Sequence, residues 1–146
     1  MKVKAAKKLN EQDHKLLALW AADCAEHVLP FFEKKHPKDD RPRQAIEAAR
    51  AWVRGEIACG QARAAAVAAH AAARESVHAA ARAVARATGH AAGTTHMAGH
   101  ARHAAAYAVT AATHGAAAAV AESAWQYRRL PAHLRPIALP SPGQKP

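Results

Sequence analysis

Apolar side chains recur every three or four residues near the start of the chain, at Leu16, Leu17, Trp20, Cys24, Val28 and Phe31. This is the period of a helix with one buried face. Asn10 is a good N-cap with Asp13 three residues on, and Pro30 disfavours helical geometry at Leu29. The first helix is therefore predicted from Asn10 to about His27, with one further turn over Phe31 to Lys35. His36 to Pro42 holds two prolines and two aspartates and reads as a loop, and Pro42 suits the first position of the next helix. The stripe Ile46, Ala49, Trp52 and Val53 predicts an amphipathic helix to Arg54, stopped at Gly55. Glu56 to Gly60 is a connector.

From Gln61 the pattern changes character. Between Gln61 and Ala121, 30 of 61 positions are alanine, and Leu, Ile, Phe, Trp, Pro and Lys are all missing. Alanine has the highest helix propensity but buries only one methyl, so these helices must pack backbone close to backbone, near the short end of the usual ~8–10 Å separation. Breaks at Glu75-Ser76, Ala98-Gly99 and His114-Gly115 divide the stretch into helices near 61–74, 77–97, 100–114 and 116–129. The bulky groups return at Trp125 to Leu130, and Pro131 begins a short helix expected to fold Leu134 and Ile137 back over the rest. The fold class predicted is a compact all-α bundle of about six Ala-rich helices with a short C-terminal capping helix. Residues 10–138 form its single domain, 1–9 a flexible basic lead-in and 139–146 a disordered tail.

Length and charge narrow the classes. A chain of 146 residues suits one domain, which at this size buries roughly two-thirds of its extended surface. Cys24 and Cys59 have no ligand or disulfide spacing, and no signal-peptide pattern succeeds the basic start. Ala104 to Ala121 is apolar yet contains His114 and Gly115, and reads as a buried helix and not a membrane span. A cytoplasmic protein is expected. The net charge of +10 and pI near 10.2 make nonspecific nucleic acid binding the default expectation. However, helix-turn-helix, zinc-finger and basic-zipper spacings are missing, and the basic middle has few aromatic groups for base stacking.

Two sets of residues could carry binding. His78, Arg82, Arg86 and His90 stand at intervals of four and would wind along a helix as a basic ridge, suited to phosphates or to the carboxylates of a partner. His96, His100, His103, Tyr107 and His114 share one side of a helical wheel if the helix survives Gly99. His96 with His100, or His100 with His103, could share a metal by spacing. No carboxylate or cysteine stands near to complete such a set, so no metal or other cofactor is expected. These histidines are instead read as neutral, hydrogen-bonded to carbonyls or to Thr94, Thr95 and Thr110 across helices. No serine sits in a nucleophile elbow, no acid pairs with a histidine at a catalytic spacing, and glycine-rich phosphate loops are absent. Catalysis is not expected.

Several segments carry a resemblance: LNEQDH at 9–14, RPRQAIEAARAW at 41–52, AAHAAARE at 68–75, THMAGHA at 95–101 and WQYRRLP at 125–131. Over roughly residues 9–137 the chain resembles the bacterial immunity proteins of the Imm-5-like group. The resemblance implies an α-helical, non-enzymatic protein that binds and neutralises a cognate toxin. Many antidotes to nuclease toxins are acidic, whereas this chain is basic, which implies a target with an acidic surface. Trp125 and Tyr127 join His78, Arg82, Arg86 and His90 as candidate contact residues for that partner.

Overall fold

The computed structural model describes residues 9–115 and 118–139. Among them eight helices succeed one another and no strand occurs. They are α1 (Glu11–Val28), α2 (Pro30–Glu33), α3 (Arg41–Val53), α4 (Cys59–Glu75), α5 (Ala79–Gly93), α6 (His100–His114), α7 (Ala119–Arg129) and α8 (Arg135–Ala138), the last after a 3-10 turn at Ala132–Leu134. Six are long and two are single turns, which matches the all-α bundle read from the pattern. The lead-in at 1–8, the tail at 140–146 and the start of the helix predicted at 116 lie outside the described residues. Leu9 and Leu139, at the edges of the described chain, pack against the core.

Local chemistry explains the helix ends. Asn10 Oδ1 accepts the Asp13 amide at 2.8 Å, the N-cap bond expected of that residue. Gly55 has φ 76°. Its amide bonds to Trp52 O and that of Glu56 to Ala51 O, both at 2.9 Å, the paired bonds of a left-handed C-cap.

Helix α5 is shorter than the 77–97 expected. Ser76 and His78 are extended, and Ser76 Oγ accepts the His78 amide, so this donor is satisfied outside a helix. At the other end Thr94 and Thr95 turn their hydroxyls onto His90 O and Ala92 O, at 2.9 and 2.8 Å. The helix stops at Gly93 and does not continue to Met97. A second departure concerns the C-terminal cap: Leu134 is buried as expected, but Ile137 is 47% exposed and Ala138 takes the inward place. The i,i+4 pair Leu134 and Ala138 points at the core, and Ile137 lies off that line.

Helix α5 is the central rod, touching α1, α2, α3, α4 and α6. It buries Ala81, Ala83, Val84, Ala85, Ala87, Thr88, Gly89, Ala91, Ala92 and Gly93, nearly its whole circumference, as a helix enclosed by others must. Bulk comes from elsewhere: Leu17 and Trp20 from α1, Phe32 from α2, Ile46 from α3, and Leu130 and Leu134 from the C-terminal segment. Arg50 on α3 reaches Asp23 and Glu26 on α1, at 2.9 and 2.7 Å, and Arg129 also reaches Asp23. Such half-exposed pairs each contribute about 0–1 kcal/mol. The buried methyls and aromatic rings carry the fold. No described helix is long and apolar enough to cross a membrane.

Candidate interaction face

Three helices present polar stripes that meet on one side of the bundle. On α4, Arg63, His70 and Arg74, with the exposed apolar Val67 between the first two, fall on one line of the helix surface. On α5 the line is Arg82, Arg86 and His90. On α6 it is His100, His103, Tyr107 and, further on, His114. Direct contacts join the stripes. Arg86 Nη1 donates to His70 Nδ1 at 2.8 Å, which leaves His70 neutral with its proton on Nε2. His90 and His100 share one proton between their Nδ1 atoms, 2.9 Å apart. The His90 ring stacks on Tyr107 at 5.4 Å and lies 5.1 Å from His70 and 5.2 Å from His103. His96 touches His100.

Two glycines seat this cluster. A Cβ at Gly89 would stand 2.6 Å from His70 Nε2, and one at Gly93 would stand 3.2 Å from the His100 ring. Four residues apart on α5, they let imidazoles from α4 and α6 lie on bare backbone, with His90 touching both rings. The cluster is thus part of the packing and not an ornament on it.

Its electrostatics arise from burial among like charges. His90 is pushed down to about 3, first by desolvation and then by His70, His100, His103 and Arg86. His70 is lowered by desolvation and by Arg86 and Arg74. His96 is lowered by desolvation and Arg63, and His100 by desolvation, His96 and His103. These four are neutral at neutral pH, and charge on the face comes from arginine. A divalent cation would meet Arg86 and no carboxylate. Among the described residues no group of three or more His, Cys, Asp or Glu is arranged to hold a metal.

The acids are sorted away from this side. Ten of the eleven carboxylates, all but Asp40, lie within ion-pair distance of an arginine, lysine or histidine side chain, and most of these are on α1 to α3. From α4 through α6 the lone acid is Glu75, and Arg41 holds it at 2.8 Å. Among the described residues none lies within ion-pair distance of Arg63, Arg74, Arg82, Arg86 or Arg102.

The basic ridge read from the sequence is divided by the fold. His78 precedes α5 and is exposed, its ring 5.9 Å from that of His36. Arg82 is exposed, whereas Arg86 and His90 are half-buried in the cluster. His100, His103 and Tyr107 all lie around the His90 ring. His96 lies in the turn before α6, its Nδ1 buried without a partner, and His114 is exposed at the far end of the helix. The threonines do not serve the imidazoles, because Thr94, Thr95 and Thr110 bond to carbonyls of their own helices or turns. Trp125 is half-buried, stacked on His27 at 3.7 Å with the Arg129 guanidinium over it. Tyr127 is half-exposed beneath Arg135.

Sequence reasoning missed His70, Arg63, Arg74 and the two glycines. The four-residue spacing of Gly89 and Gly93 was the available signal. One contact resembles a nucleophile and base, His36 Nε2 to Ser76 Oγ at 2.9 Å. Ser76 is buried, and its hydroxyl also accepts the His78 amide, so the contact ties the loop after α2 to the junction of α4 and α5. Cys24 is buried, and desolvation, Glu122 and Asp23 all raise its thiol pKa, which makes it a poor nucleophile.

Fold and face together define an all-α bundle with one side of arginine and imidazole where, among the described residues, no carboxylate lies within ion-pair distance of Arg63, Arg74, Arg82 or Arg86. The chain belongs to the Imm-5 like putative immunity protein family, whose family model matches residues 7–133. Neither the curated proteins nor the solved structures offer a match.

Proposed function

We propose that the chain is a cytoplasmic immunity protein, a non-catalytic binder that neutralises a cognate bacterial toxin by steric occlusion. Membership of the family supports the role. The observation that carries the choice of partner is the charge sorting: carboxylates are engaged on α1 to α3, while Arg63, Arg74 and Arg82 face outward without one. A field of one sign speeds association with an oppositely charged surface, so the toxin presents acidic residues to this side. Arg86 and His90, half-buried between α4 and α6, form the floor against which a carboxylate would be desolvated.

The test is co-expression in a bacterial host with the toxic domain encoded by the neighbouring reading frame. Growth should be restored by the intact chain. The variant Arg74→Glu/Arg82→Glu should slow association several-fold at low salt, converging with wild type as salt rises. Growth that stays arrested with the chain present would overturn the reading. The net charge of +10 also favours a second reading, a nucleic-acid-associated protein. It requires that duplex DNA be shifted at ~50 mM salt and released steeply as salt rises.

A further inference from the structure

Helix α7 packs the Trp125 ring against the core yet leaves other apolar residues in water. The side chains it buries are polar: Glu122 at 6% exposure and Gln126 at 2%. Among the residues it turns outward, Val120 is 83% and Tyr127 50% exposed, with Ala124 exposed between them and the polar Ser123, Arg128 and Arg129 exposed beside them. Val120, Ala124 and Tyr127 are spaced by four and three, so they form one line on the helix.

Specific bonds hold this orientation. His27 Nδ1 lies 2.8 and 3.0 Å from the two oxygens of Glu122. Gln126 Nε2 donates to Ala105 O at 2.8 Å, and Trp20 Nε1 donates to Gln126 O at 2.9 Å. Turning Val120 and Tyr127 inward would break the first two and expose the Trp125 ring stacked on His27. The apolar line therefore faces outward because buried polar groups nail the opposite side down.

We infer that the Val120–Ala124–Tyr127 line is the apolar anchor by which the chain docks its protein partner, and that the partner meets it with an apolar patch ringed by carboxylates. Charge selects that occupant. Arg128 stands beside the line, and Arg135 lies over the Tyr127 ring at 4.1 Å; neither has a carboxylate within ion-pair distance among the described residues. The one acid of α7, Glu122, points inward. A second copy of the chain would bring the same arginines against each other without acids to meet them, in a molecule already carrying +10. A surface with an apolar centre, Tyr and Arg at its edge and excess positive charge fits an acidic protein partner.

The inference rests on the toxin-binding reading, and the experiment separates the two. The full chain and its Val120→Glu and Tyr127→Glu variants are titrated by calorimetry with the toxic domain from the neighbouring reading frame. Far-ultraviolet circular dichroism checks that each variant keeps its helices, as substitutions at exposed positions should. Each variant is expected to bind about 30-fold more weakly or worse, the effect of losing one interface anchor. Tight binding by wild type with both variants unchanged overturns the anchor and leaves the toxin-binding reading standing. A wild type that does not bind overturns both. A wild-type dimer in sedimentation that Val120→Glu dissociates overturns the choice of occupant.

Discussion

Acidification should destabilise this bundle at a pH where its carboxylates are still ionised. His90 titrates near 3 in the folded chain and near 6.5 when unfolded, so between those values the unfolded state binds the extra proton and stability falls as pH drops. From pH 8 to pH 5 the linkage for this one group amounts to about 2 kcal/mol. Solvent screening at a half-buried site reduces that to about 1 kcal/mol. His70, His96 and His100 are lowered in the same direction and add to it, and because His90 and His100 share a proton the pair titrates as a unit. The carboxylates do not interfere. Glu26, Asp39, Glu56 and Glu75 are held below their usual values by arginine hydrogen bonds, so their contribution persists down to about pH 4.5 and is lost only below it. Urea unfolding monitored by circular dichroism at pH 8, 6.5 and 5 measures the effect against a total of roughly 5–15 kcal/mol. His90→Gln, which cannot take the proton, should flatten the fall between pH 6.5 and 5. A wild type equally stable at pH 7 and 5, or a variant with the same pH slope as wild type, would refute the reasoning.

Packing sets three further outcomes. Gly89→Ala should gain about 1 kcal/mol of helix propensity yet show no net stabilisation, because the new Cβ displaces the His70 ring and with it the Arg86 bond. A proton NMR titration should then find His70 rising toward 6.5. Ala87→Leu, at a fully buried position of α5, should destabilise by about 1–3 kcal/mol through overpacking, read from thermal unfolding. Gln126→Ala removes the donor to Ala105 O in a buried site and should cost about 1–3 kcal/mol; a hydrophobic substitution elsewhere on α7, such as Ser123→Ala at an exposed position, should change stability by less than about 0.5 kcal/mol.

Much of the architecture is legible in the order of residues. Asn10, Pro30, Pro42, Gly55 and Pro131 punctuate the chain by local chemistry alone, and the alanine content dictates helices that approach closely. Local signals are weaker where side chains have a choice: Ser76, Thr94 and Thr95 could continue a helix or close it, and their hydroxyl bonds close α5 early at both ends. The histidine spacing shows that His100, His103 and Tyr107 share a face. It cannot show that His90 on α5 lies against all three, or that His70 lies against His90 in turn.

Helix propensity, capping and ionisation act over a few residues, so the class of fold, the positions of most helix ends and the excess of positive charge are written in the chain directly. Which charges are answered and which are not is a matter of packing. Packing sets Asp23, Glu26 and Glu33 against Arg50, Arg129 and Arg43, lays two imidazoles on Gly89 and Gly93, and turns α7 so that Glu122 and Gln126 are buried while Val120 and Tyr127 face water. Those outcomes depend on contacts between residues far apart in the chain, where a single methyl at Gly89 or a single carboxylate at Glu122 selects one packing over another.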